Sequence, residues 1–113
     1  MTTHKVHVYG TLRTGDENTQ TVKGRLYNVG WFPALILDPD GYDVTVEVRE
    51  VDDDGLEGFD AYEGYRPDYP SGSLYIRRKH KDGWIYEFNR SVDDLEEIPE
   101  GDWLAFKKEK EGV

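Results

Sequence analysis

Short runs in which apolar and polar residues alternate recur along this chain, and one window alone has helical periodicity. Val44, Val46 and Val48 alternate with Thr45, Glu47 and Arg49, the pattern of a half-buried strand. Val6 and Val8 alternate with Lys5 and His7 in the same way and predict a first strand. Further strands are predicted at Gly24 to Val29, Leu74 to Lys79 and Trp84 to Asn89. Gly30 to Leu37 is the most apolar stretch, and Pro33 places a strand start or an edge within it. Turn chemistry separates these runs: Asp38-Pro39-Asp40-Gly41, Lys81-Asp82-Gly83 and the polar loop Thr14 to Thr21. The helical window is Asp52 to Tyr62, with an Asp to cap it, acidic residues in its first turn and Gly64 to end it. Val92 to Glu97 predicts a short helical turn. Strands follow strands without strand–helix alternation. The expected class is therefore α+β: a small, mainly antiparallel β-barrel of five to six strands with one or two short helices.

A chain of 113 residues fits one domain, predicted over residues 1–106, with a charged C-terminal tail at 107–113. Trp103, Leu104 and Phe106 are expected to return to the core just before that tail, which is expected to fray. Hydrophobic residues make up only 36%, but aromatics reach 13%, enough to supply a compact core and to argue against disorder. The absence of cysteine excludes disulfides, thiolate nucleophiles and cysteine-based zinc sites. A net charge of −10 disfavours nucleic acid as a partner, because phosphate repulsion would have to be overcome. The polar segment Met1 to His7 does not resemble a signal peptide, and no apolar stretch is long enough to span a membrane. A cytoplasmic monomer or weak dimer is expected.

Glu63 is the residue with the strongest chemical promise. At about 100° per residue, Phe59 lies about 60° and Glu63 about 20° from Leu56, while Glu57 falls off that face. Glu63 thus shares the apolar face and sits in the last turn, where the helix dipole is negative. Both conditions raise a carboxyl pKa, and a carboxyl group near neutrality is suited to moving protons. The sequence leaves two outcomes open. The carboxyl group faces a cavity, or it pairs with Arg66, Arg77 or Arg78 and holds the helix end.

The run Val8-Tyr9-Gly10-Thr11-Leu12-Arg13 resembles the Tyr-Gly-Ser/Thr-Leu-Arg signature of the γ-glutamylcyclotransferase-like superfamily. It is most similar to the short branch that includes avirulence-induced-gene-like proteins and γ-glutamylamine cyclotransferases. Four more segments resemble that family in order: Gly24 to Tyr27 with Phe32 to Leu35, Phe59 to Tyr65, Leu74 to Arg77, and Gly101-Asp102-Trp103. The resemblance implies a small barrel with a cavity at one end. It also implies cyclisation of a γ-glutamyl amine or γ-glutamyl amino acid to 5-oxoproline with release of a free amine. Glu63 matches the general acid/base, and Tyr9, Gly10, Thr11 and Leu12 match the loop that holds the γ-glutamyl group. Tyr75 and Arg77 match a motif strand without an assigned role. Neither metal nor cofactor is implied. The segment Arg13 to Lys23 is shorter than in many relatives, so a wall of the substrate site is expected to differ.

Other constellations are weaker. Asp38 to Gly41 lacks the Glu an EF-hand needs twelve positions in, where Arg49 stands, so a hairpin turn is expected. Asp52 to Asp54 reads as a solvated helix start. His4, His7 and His80 lack ligand-like spacing and read as surface residues. Thr11 and Ser73 have no base adjacent in sequence that would make a nucleophile of either. Tyr9, Tyr62, Tyr65 and Trp84 are the aromatics available to line a pocket. The competing functions are a non-catalytic domain that binds a small ligand and an acidic protein-interaction domain of the same fold.

Overall fold

The computed structural model describes residues 2–15 and 18–111. Its element order is β1 (His4–Val8), β2 (Thr19–Asn28), β3 (Pro33–Leu37), β4 (Tyr42–Val51), α1 (Asp53–Glu63), β5 (Tyr75–His80), β6 (Gly83–Phe88), β7 (Glu96–Glu97) and α2 (Trp103–Glu111), with a 3-10 turn at Pro70–Gly72. The strands form one mixed sheet in the order β3-β2-β4-β1-β6-β5, and β7 pairs with the free side of β2. All pairings are antiparallel except β1 with β6, which run parallel with His7 opposite Ile85. The sheet curls into a half-barrel, closed across the gap by side chains. The Tyr75 hydroxyl on β5 donates to the Pro33 carbonyl on β3 (2.5 Å), and the Leu37 N–H donates to Glu87 on β6 (2.9 Å).

The core is a layer of alternating strand residues, with Val6, Leu26, Leu35, Val44, Val46 and Ile85 out of contact with water. α1 forms where predicted. The Asp52 side chain accepts the Gly55 N–H (2.8 Å), and Gly64 ends the helix in the left-handed region at φ 69°. Pro33 opens β3, where its missing N–H removes no ladder bond.

Four expectations are corrected. β2 begins at Thr19, inside the predicted loop, because Thr19 to Gly24 pair with β4; Asp16 and Glu17 of that loop lie outside the described residues. Val92 to Glu97 forms a turn followed by β7 rather than a helical turn, since the second edge of β2 needs a partner. The charged segment from Lys107 is helical as far as Glu111, continuing α2, whose Trp103 and Phe106 rings stack at 5.8 Å beneath the sheet; residues 112–113 lie outside the description. Finally, His7 is only 2% exposed, since β1 is a central strand of the sheet and His80 packs against the ring. Its Nδ1–H donates to the Trp84 carbonyl (3.2 Å), and its ring meets His80 edge-on at 4.9 Å.

Gly83 opens β6 for a reason that turn chemistry does not show. A Cβ there would stand 2.4 Å from the Lys5 carbonyl oxygen of β1. Gly83→Ala is therefore expected to push the parallel β1–β6 pair apart and destabilise the fold by about 1–3 kcal/mol in urea denaturation. An unchanged midpoint would show that the two strands yield without cost.

Candidate active site

β1 ends at Val8, and the chain turns sharply at Gly10 to Arg13, where the Arg13 N–H donates to the Gly10 carbonyl (2.9 Å). Thr11 and Leu12 are the central residues of this turn. Among the described residues, their N–H groups donate to no protein acceptor. Gly10 presses on Pro33: a Cβ would stand 2.7 Å from the proline ring. Any other residue would lift the loop off β3.

This loop borders a cavity of about 360 Å³. Tyr9, Gly10, Thr11 and Leu12 line one side, and Glu63, the last residue of α1, lines another with Ala61, Tyr62 and Gly64. Tyr75 and Tyr86 close the depth, while Trp31 and Phe32 from the β2–β3 connection border the opening. The five residues singled out from sequence are thus brought to one cavity. Tyr62 lines it as well, and its hydroxyl hydrogen-bonds Thr11 Oγ1 at 2.9 Å. Tyr65 and Trp84 do not line it. They flank Arg77, whose guanidinium lies 5.5 Å and 4.6 Å from their ring centres.

Glu63 makes neither a hydrogen bond nor an ion pair with any described residue. The three arginines that could have neutralised it are engaged elsewhere: Arg66 with Asp68, Arg77 with Asp60 and Arg78 with Glu87. Burial pushes the Glu63 carboxyl up from 4.5 to about 7. Desolvation is the cause of this shift, and the Gly64 and Tyr65 N–H groups bond the Ala61 and Asp60 carbonyls of the last turn. Three tyrosines near Glu63 stay protonated. Burial raises Tyr9, Tyr75 and Tyr86, and the Glu63 carboxylate raises each of them further. The Tyr9 hydroxyl donates to the Tyr86 carbonyl (2.5 Å), so its ring is locked in the wall. Among the described residues no Lys or Arg side chain lines the cavity. An anionic group entering it would meet backbone N–H groups rather than a cation.

The sequence reading overlooked Asp60. It accepts from the Tyr86 hydroxyl (2.6 Å) and from Arg77 (2.8 Å), and is 7% exposed. Its signal was present: Asp60 lies about 40° from Leu56, on the same apolar face. It fixes Tyr86 behind the cavity.

The family described as gamma-glutamyl cyclotransferase, AIG2-like, matches residues 6–105. The chain belongs to that family. Among its cyclotransferase-family relatives, the Escherichia coli K12 "Gamma-glutamylcyclotransferase family protein YtfP" is 28% identical over 112 residues, covering 88% of this chain and 96% of that protein. "Putative gamma-glutamylcyclotransferase BH1612" of Halalkalibacterium halodurans is 35% identical over 99 residues, covering 81% of this chain and 88% of the other. The crystal structure of the uncharacterized protein PH0828 from Pyrococcus horikoshii superposes with a TM-score of 0.67 at 22% identity, covering 96% and 97% of the two chains. That last likeness is one of fold: the cyclotransferase-like half-barrel with its two helices.

Proposed function

We propose that this chain cyclises a γ-glutamyl amine or γ-glutamyl amino acid to 5-oxoproline, with Glu63 as general acid/base. The observation that carries the reading is the half-buried Glu63 carboxyl group, unpartnered among the described residues, on the cavity that the Tyr9–Leu12 turn also lines. In the reaction Glu63 takes a proton from the substrate's α-ammonium group. The freed amine attacks its own γ-carbonyl carbon, a C–N bond forms, and negative charge develops on the carbonyl oxygen. The N–H groups of Thr11 and Leu12, which donate to no acceptor among the described residues, are available to that oxygen or to the substrate's carboxylate. Glu63 then returns the proton to the leaving nitrogen as the original amide C–N bond breaks, and the ring nitrogen gives its second surplus proton to the released amine, which departs as an ammonium ion. Neither water nor a protein nucleophile is consumed. A carboxyl pKa near 7 suits both halves of this exchange.

Incubation with a panel of γ-glutamyl amines, amino acids and isopeptides, with 5-oxoproline followed by mass spectrometry, tests the reading. Release of 5-oxoproline from at least one member is expected. A silent panel would leave the fold without this activity.

A further inference from the structure

Resting on the proposed reading, a second carboxylate acquires a task at the cavity without touching it. Glu47 lies on β4, opposite Val8 at the end of β1, so it stands at the point where the binding turn leaves the sheet. The strand alternation placed it on the polar face, yet it is 0% exposed. Five donors fill its two oxygens: Arg13 Nε (2.8 Å), the Thr14 N–H (3.0 Å) and hydroxyl (3.3 Å), the Gly15 N–H (3.1 Å) and an Arg49 nitrogen (2.6 Å). Burial by itself would raise this carboxyl group. The hydrogen bonds from Thr14, Arg13, Arg49 and Gly15 outweigh it and hold the group well below the usual carboxylate range.

The donors are not scattered. Arg13 closes the binding turn with its own N–H, and Thr14 and Gly15 follow it directly in the chain. Arg49 also reaches the Leu12 carbonyl (3.4 Å). Arg13, with a side chain 4% exposed, spends its other arm on Asp102 (2.9 Å), whose same oxygen caps α2 by accepting the Ala105 N–H (3.1 Å). The far end of the turn is therefore tied to β4 and to the start of α2. Its near end is tied to β6 through Tyr9.

We propose that Glu47, acting through Arg13 and the Thr14 and Gly15 N–H groups, is the positioning residue that holds the Tyr9–Leu12 turn in its substrate-binding shape. The physical reason is that the turn closes on one backbone hydrogen bond of its own, from the Arg13 N–H to the Gly10 carbonyl. Its N–H groups keep a fixed direction only if both flanks are pinned, and small displacements of binding donors are costly. Asp102 is the outer brace of the same anchor.

The test uses the full chain and two variants. Glu47→Gln keeps the volume but removes the charge between Arg13 and Arg49. Asp102→Asn, at a side chain 31% exposed, loosens one arm of Arg13 and keeps the assay informative if the first variant does not fold. Expected are a rise in KM of about 10- to 100-fold for Glu47→Gln and a smaller rise for Asp102→Asn. The acid limb of the kcat/KM profile should stay near pH 7, because Glu63 keeps its surroundings. Amide hydrogen exchange should accelerate at Arg13, Thr14 and Gly15 while β1 and β4 stay protected. Folded variants with unchanged KM and unchanged exchange at these three amides overturn the proposal. So does a fall in kcat with a displaced pH limb, which would mean that the whole cavity had loosened. A wild-type chain that releases no 5-oxoproline would remove the enzymatic reading but not the anchor, which the exchange at residues 13–15 still decides.

Discussion

Glu63→Gln is expected to lower kcat by about 10²- to 10⁴-fold while leaving the chain folded, the usual loss when a positioned acid/base is removed. Glutamine keeps the shape of the side chain and its place in the wall. It cannot take the proton from the attacking amine or return it to the leaving nitrogen. In the wild type, kcat/KM should rise with pH through about 7, because the carboxylate form accepts the proton. The same group sets a stability signature. Its folded pKa lies above the ordinary 4.5, so the native state holds this proton more tightly than the unfolded chain. Stability is therefore fully present below about pH 4.5 for this group and falls as pH rises through about 7. The span is on the order of 3 kcal/mol between acidic and alkaline conditions. Glu63→Gln removes that slope, so urea midpoints at pH 5.5 and 8.5 should converge and the variant should be the more stable protein at the higher pH. A variant that keeps full turnover would eliminate Glu63 as the acid/base, and a pH slope surviving the substitution would move the titration to another group.

The second large effect is structural. Asp60→Ala is expected to cost on the order of 3 kcal/mol at pH 7, because it strips the partner from the buried Tyr86 hydroxyl and the half-buried Arg77 guanidinium at once. Arg77 would keep its place over Trp84 but lose its counter-charge, and the Tyr86 hydroxyl would be left unsatisfied. Since Tyr86 lines the cavity, ligand binding should weaken together with stability. Asp60→Asn, which can still accept from Tyr86, should lose less. The contrast is Lys23→Ala. The Lys23–Asp43 pair joins β2 and β4 at the surface, with side chains 58% and 60% exposed, and its loss should change stability by no more than about 0.5 kcal/mol. Equal effects of the Asp60 and Lys23 substitutions would show that burial does not separate these pairs.

Much of the fold was legible because strand and helix periods are local. Val44 and Val46 face the core as their alternation requires, and Asp52 and Gly64 cap α1 as their chemistry requires. The cavity residues were legible in part. Glu63 declared itself by standing on an apolar face, and the Tyr9–Leu12 run by its resemblance to a known signature. Asp60 carried the same signal as Glu63 but went unread, since a carboxylate on an apolar face has two possible meanings. One is a partnered structural anion, and the other is an unpartnered, desolvated acid. Separating them requires knowing where each arginine ends up.

That allocation is what only the tertiary structure decided for Glu63. The sequence by itself placed its carboxyl group on the buried side of a capped helix and left Arg66, Arg77 and Arg78 as possible partners. The sheet order then settled the competition. β5 pairs with β6, which sets Arg78 beside Glu87 and leaves Arg77 to reach Asp60. Glu47 became an anchor because β1 lies against β4 and brings Arg13 to it. Periodicity reports how a residue sits relative to its own neighbours along the chain. The choice of counter-charge is made across strands far apart in sequence, by distances that exist only once the sheet has closed.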